Sequence, residues 1–266
     1  MPLTIGDNRG RVDAWSTPSL LVQARSFRDE LIGSGTGFVV MYDARPFLVT
    51  AEHVLTGVHP ETGKRLGKEP ERLSIFHHSN MMLHSVGGWH LTDEPLRNER
   101  GDPRWAVHPR KRIKDMEDPF VLDIDVAVLP LVDLQEHIQL YPVDLGEPPA
   151  QVAPGFPVSV VGYPFGQGNE GFFPVWKTGH VATDVYWGKE PREFLVDITT
   201  RDGMSGAPVY ARQWVPQGDK WDVQTSFLGV YSGRTRVDSE IGIVWRAEVI
   251  PAILQKAASV SSDEAL

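Results

Sequence analysis

Cysteine is missing altogether from the 266 residues, which excludes disulfides and a thiol nucleophile. Positive charge is in deficit: 26 Lys and Arg against 35 Asp and Glu leave a net charge of −9. The short basic run Arg110-Lys111-Arg112 reads as a solvated turn, so nothing points to nucleic acid. No apolar run reaches the roughly 18 residues that a membrane span needs. Met1 to Ser16 carries charges and lacks an apolar core of signal-peptide length. The expectation is a cytoplasmic protein with neither a nucleic-acid nor a membrane partner. What is present is a 41% share of hydrophobic residues, enough for one large all-β domain or two smaller ones.

The hydrophobic pattern is mostly that of strands. Thr17-Pro18 followed by Leu20, Leu21, Ala24, Phe27 and Leu31 has helical spacing behind a capping threonine, and predicts a helix over 17–32. Glycines 33, 35 and 37 then end it. Phe38–Tyr42 and Pro46–Thr50 flank a short polar turn and read as a hairpin. Residues 93–119 are charged and proline-punctuated, a loop with Trp105 and Val107 in a strand inside it. Val121–Leu131 reads as a buried strand. Residues 132–157, rich in Pro and Gly, form the best linker. Beyond them short strands recur between turn signals, as in a sandwich or barrel. Residues 247–259 predict a C-terminal helix.

Several stretches carry side chains capable of chemistry. Ser205 stands between Gly203-Met204 and Gly206, in a turn able to hold a hydroxyl outward beside backbone N–H donors, as acyl transfer requires. Alone, such a turn is common loop chemistry. His53 follows an apolar strand directly, where it fits a packed histidine as well as a catalyst. Asp123 and Asp125 share one side of their strand. At least one needs a partner if the strand is buried there; both would be solvated if they lie in a turn before it. His77, His78, His84 and His90 cluster in sequence, but their spacing matches no zinc motif, and they fit an exposed edge strand. Histidine, aspartate, serine in that order is one of the chain orders of the serine triad.

Those stretches together carry a resemblance. Phe47-Leu48-Val49-Thr50-Ala51-Glu52-His53-Val54 resembles the histidine strand of trypsin-like, chymotrypsin-fold serine proteases. Asp125-Val126-Ala127-Val128-Leu129 resembles their aspartate strand, and Gly203–Val209 their serine turn. Leu228–Gly233 is similar to the strand lining their specificity pocket. The glycine-rich entry at 34–38 and the lack of cysteine are closer to the bacterial trypsin-like peptidases than to disulfide-bonded digestive enzymes. Three departures stand out: Glu52 beside the histidine, Ala207 for a second glycine, and Met204 where zymogen-type members pair an aspartate with a freed N-terminal amine.

The resemblance implies an all-β fold of two antiparallel six-stranded β-barrels with an N-terminal and a C-terminal helix. It divides the chain into an N-terminal extension with its helix (1–32), a first barrel carrying His53 and Asp125 (33–140), and a second carrying Ser205 (141–266). It implies a serine endopeptidase acting on proteins or peptides through His53, Asp125 and Ser205. Gly203 and Ser205 N–H groups would form the oxyanion hole, and Thr199, Thr200, Tyr231, Ser232, Gly233 and Arg234 the substrate pocket. No cofactor or metal is implied. A regulatory protein partner is a further expectation. The alternatives are another serine acyl hydrolase and a non-catalytic module keeping the fold.

Overall fold

The computed structural model describes residues 12–59, 63–78, 89–109, 123–132, 134–135, 137–146, 151–168, 173–187, 192–236 and 238–263. The first sheet comprises β1 (Ser19–Arg25), β2 (Leu31–Tyr42), β3 (Arg45–Thr50), β4 (Arg72–His78), β5 (Trp89–Pro95), β6 (Ala106–Val107) and β7 (Ala127–Pro130). Its seven strands run in the order β5-β4-β1-β2-β3-β7-β6. The second comprises β8 (Pro157–Gly162), β9 (Val175–Val181), β10 (Glu193–Asp197), β11 (Pro208–Gln217), β12 (Lys220–Arg234) and β13 (Ile241–Arg246). These close into a six-stranded barrel, β10-β13-β12-β11-β8-β9. Among the described residues every strand pairing in both sheets is antiparallel. A short helix α1 (Glu52–Thr56) follows β3, and α2 (Ile250–Asp263) ends the described chain. Among the described residues no helix is long and apolar enough to cross a membrane.

The runs at 38–40, 47–49 and 126–129 are continuous and apolar because both faces of those strands are covered. Along β2, Phe38 and Val40 enter a core shared by the two sheets, while Val39 enters the interior of the first sheet alone. Phe47 and Val49 against Leu48, and Val126 and Val128 against Ala127 and Leu129, divide the same way. In the second barrel Tyr210, Val230 and Trp245 face the shared core, whereas Val209, Leu228, Tyr231 and Val244 fill the barrel. Helix α2 seals the shared core with Ile250, Ile253, Leu254 and Ala257, the i, i+3, i+4, i+7 stripe of an amphipathic helix. The C-terminal helix expected from the sequence is therefore present.

The N-terminal helix is not. Residues 19–25 are β1, paired with both β2 and β4, and the only helical turn before it among the described residues is a 3-10 turn at Ala14–Ser16. Leu20, Leu21 and Val22 are consecutive and all buried, an arrangement open to a strand covered on both faces. The helical stripe needed Phe27 and Leu31 inside, and both are exposed. The 93–119 stretch is also more ordered than a loop where it is described: β5 pairs with β4 along its full length, and β6 pairs with β7. Val107 is in that strand, as expected, while Trp105 precedes it. Residues 110–119 lie outside the described residues.

The β2–β3 hairpin turns through Asp43 and Ala44, both at positive φ (48° and 57°), as a two-residue type I′ connection demands. This turn fixes the register that pairs Gly37 with Thr50, which brings Thr36 and the end of β3 to the face of the second barrel.

Candidate active site

His53 lies in the first turn of α1, directly after β3. The first N–H groups of a helix have no partner within it. Here the Asp125 carboxylate supplies one: the His53 backbone N–H donates to Oδ1 at 2.9 Å, while the imidazole Nδ1 meets Oδ2 at 2.6 Å. One side chain thus sets both the helix entry and the ring. Asp125 is buried and sits just before β7, so the partner that burial demands is His53. A third donor completes it. Ser232 Oγ, on β12, donates to Asp125 Oδ2 at 2.6 Å. Asp123 is half-buried.

Burial alone would lower the pKa of His53. The charge of Asp125, its hydrogen bond and the nearby Glu52 outweigh that and hold the imidazole above its ordinary value.

The Ser205 turn is shaped by two glycines at positive φ, Gly203 at 93° and Gly206 at 86°, a region that other residues enter only at a cost. A Cβ on Gly206 would lie 2.1 Å from the Thr36 carbonyl oxygen, so only glycine permits this approach of the two sheets. Thr36 holds the turn from the first sheet. Its N–H donates to the Ser205 carbonyl at 2.8 Å and its hydroxyl to the Gly203 carbonyl at 2.8 Å, while that hydroxyl accepts from Tyr163 N–H at 3.1 Å. From the other side Gly206 N–H donates to the Tyr231 carbonyl at 2.7 Å. Met204 is wholly buried in the second barrel, an apolar anchor where an ion pair would need a partner.

The N–H groups around the turn divide into two kinds. Those of Met204, Gly206 and Ala207 donate to Arg201, Tyr231 and Met204 carbonyls. Those of Gly203 and Ser205 have no acceptor among the described residues. Ser205 is partly exposed, so the two free donors belong to a turn that solvent reaches. The turn and the histidine helix meet at Gly35, where a Cβ would stand 2.8 Å from Val54 and 3.2 Å from the Ser205 carbonyl.

The residues expected to form the substrate pocket separate. Thr199 is exposed and Thr200 buried, its hydroxyl bonded to that of Tyr231. Ser232 faces Asp125 rather than a pocket. Gly233 and Arg234 are half-buried, and Arg234 reaches the Asp202 carboxylate at 3.6 Å. Sequence reasoning missed Thr36. Its signal was the Gly35-Thr36-Gly37 triplet, which read as a helix stop although alternate glycines in a strand also mark close backbone approach.

The trypsin-like peptidase domain model matches residues 35–218. Among solved structures, the Rv3671c protease of M. tuberculosis in its active form aligns at TM-score 0.50 and 21% identity, over 92% of this chain and 82% of that one. A serine-to-alanine mutant of the same protease, in an inactive form, aligns at 0.50 and 17%, over 96% and 94%. The serine endoprotease of Yersinia pestis aligns at 0.52 and 14%, over 92% and 66%. These likenesses speak for the fold. No curated protein matches the chain. With the family model covering more than half of its length, the chain belongs to the trypsin-like peptidase family.

Proposed function

We propose that the protein is a serine endopeptidase working through Ser205, His53 and Asp125. The observation that carries this reading is the pair of free N–H groups at Gly203 and Ser205, in a turn that meets the helix of a histidine oriented by a buried carboxylate at Gly35. Ser205 Oγ attacks the scissile carbonyl as the His53 Nε2 takes its proton. Asp125 holds Nδ1–H, fixing the tautomer and stabilising the imidazolium. The oxyanion accepts from the two free N–H groups, an arrangement in which one donor is worth about 2.7–4 kcal/mol. Collapse passes the proton from His53 to the leaving amine and leaves an acyl-serine, which water hydrolyses with the same base.

Because Met204 anchors the turn without a charge, catalytic geometry is assembled by folding itself. Restraint then falls to a selective cleft or to a regulatory protein partner. Equal turnover of unrelated unfolded proteins, with no partner added, would count against both.

A fluorophosphonate probe tests the chemistry. Labelling should occur at Ser205 and vanish in Ser205→Ala, whose melting temperature stays near that of the parent because the hydroxyl serves chemistry rather than packing. Failure to label the folded parent sinks the catalytic reading and leaves a binding module. Labelling with turnover of esters but not of casein or peptides would point to an acyl hydrolase.

A further inference from the structure

The family resemblance puts the side chain of an acyl group on Ser205 between two segments, the one leading into the serine turn (199–202) and the one bonded to the back of that turn (231–234). In this structure the two segments already touch. Tyr231 is fixed by two backbone bonds to the turn, Gly206 N–H to its carbonyl and its own N–H to the Ala207 carbonyl. Its chain neighbours point elsewhere, Val230 into the shared core and Ser232 onto Asp125. The Tyr231 ring therefore enters the second barrel, among the residues that also bury Met204 and Ala207. It lies flush on β13: a Cβ on Gly242 would stand 2.5 Å from Cε2 and 3.1 Å from the hydroxyl. Its hydroxyl pairs with that of Thr200, and both residues are 1% exposed. At the rim Arg234 and Asp202 face each other.

We propose that Tyr231 fills the primary specificity pocket of this enzyme, with Thr200 latching its hydroxyl and the Arg234–Asp202 pair crossing the rim, so that the substrate residue preceding the cleaved bond must be small: Gly, Ala or Ser. This rests on the catalytic reading above. Pocket depth is what separates a slot for large side chains from a small one on this fold. A larger side chain would have to displace a ring that is packed on all sides and break the buried hydroxyl pair with it. The surroundings of the hydroxyl agree: burial pushes the phenol up to about 12, the Thr200 bond and Arg234 oppose that, and Glu240 and Asp202 add to it. The hydroxyl is thus within electrostatic reach of the charges at the rim. Arg234 has Asp202 as its counter-ion, so basic side chains gain no free carboxylate there.

The test is a peptide series differing only at the residue before the cleaved bond, with matching peptidyl phosphonates as active-site probes. Ala should exceed Leu, Phe and Lys in kcat/KM and in labelling rate by about tenfold or more. Tyr231→Phe keeps the ring and should keep that order. Tyr231→Val opens the space and should raise the Leu-to-Ala ratio by about tenfold. Equal or faster reaction with Leu, Phe or Lys in the parent protein overturns the proposal. So does an unchanged profile in a folded Tyr231→Val protein. Should that variant not fold, the parent series alone decides. Fluorophosphonate labelling of Ser205 with no size preference rejects the filled pocket and keeps the nucleophile. No labelling by any probe rejects both.

Discussion

Replacing Ser232 by alanine isolates one of the three hydrogen bonds to Asp125. The carboxylate is buried, at 3% exposure, and accepts from the His53 ring, the His53 backbone and Ser232 Oγ. The two His53 bonds stay in Ser232→Ala, and Ser232 is itself buried, so the lost bond is not simply replaced by solvent. A hydrogen bond to a charged group is worth about 1.5–3 kcal/mol. Part of this should appear as lost stability, since the buried carboxylate is then less well held. The rest should appear in turnover, because on the proposed mechanism Asp125 faces a full imidazolium in the transition state. If the whole amount were expressed there, kcat/KM would fall about ten- to a hundredfold, at 1.36 kcal/mol per decade. Losing a donor also leaves more of the carboxylate's charge facing the imidazole, so His53 should titrate higher and the acid limb of the pH–rate profile should move up. Urea unfolding read beside the pH dependence of kcat/KM separates the two parts. Ser232→Ala with parental stability, turnover and pH profile would refute the view that Ser232 supports the carboxylate, and would return it to the pocket wall.

Asp125→Asn should lower turnover by about four orders of magnitude, the penalty of the wrong imidazole tautomer, whereas Asp123→Asn should cost little; steady-state kinetics in the reverse order would reassign the histidine's partner. Glu52 contributes to holding His53 above its ordinary pKa. His53 must be neutral to act as base, so Glu52→Gln should move the acid limb of kcat/KM to lower pH, and an upward or absent shift would show that its charge does not reach the ring. His77 is buried and held down to about 4, chiefly by burial, with His78 and His90 adding to it. Between about 4 and 6.5 the unfolded chain therefore binds the proton that the folded chain refuses, and stability should fall as pH falls through that window, by up to about 3 kcal/mol. Replacing His77 with Gln should flatten that acid slope in denaturant melts; an unchanged slope would assign it to other groups.

Most of the strands were legible because burial on both faces writes an uninterrupted apolar run, as in Val126–Leu131. The same feature misled at residues 19–25. Leu20, Leu21 and Ala24 fit a helix as well as a doubly covered strand, and only the exposure of Phe27 and Leu31 separates the two. His53, Asp125 and Ser205 stood out because each sits at an abrupt change of pattern, a strand end or a glycine turn. Their supports did not. Ser232 lies within a strand, and its orientation toward Asp125 depends on the irregular β12–β13 register between Tyr231 and Gly233. Whether Tyr231 lines a cavity or fills it depends on Gly242, eleven residues away and across a strand pair, and sequence order holds no trace of that.

Thr36 has a consequence for how the molecule comes into being. The loop bearing Ser205 takes its shape from a residue made about 170 positions earlier, through bonds to both Gly203 and Ser205. On the ribosome the N-terminal half of a chain is free to organise first, so Thr36 is already in place as a template when residues 203–206 emerge. The C-terminal half made alone would lack that template, however well its barrel closed. On the proposed mechanism, a chain that stops short of residue 205 carries the histidine–aspartate pair without a nucleophile and cannot cut a peptide bond.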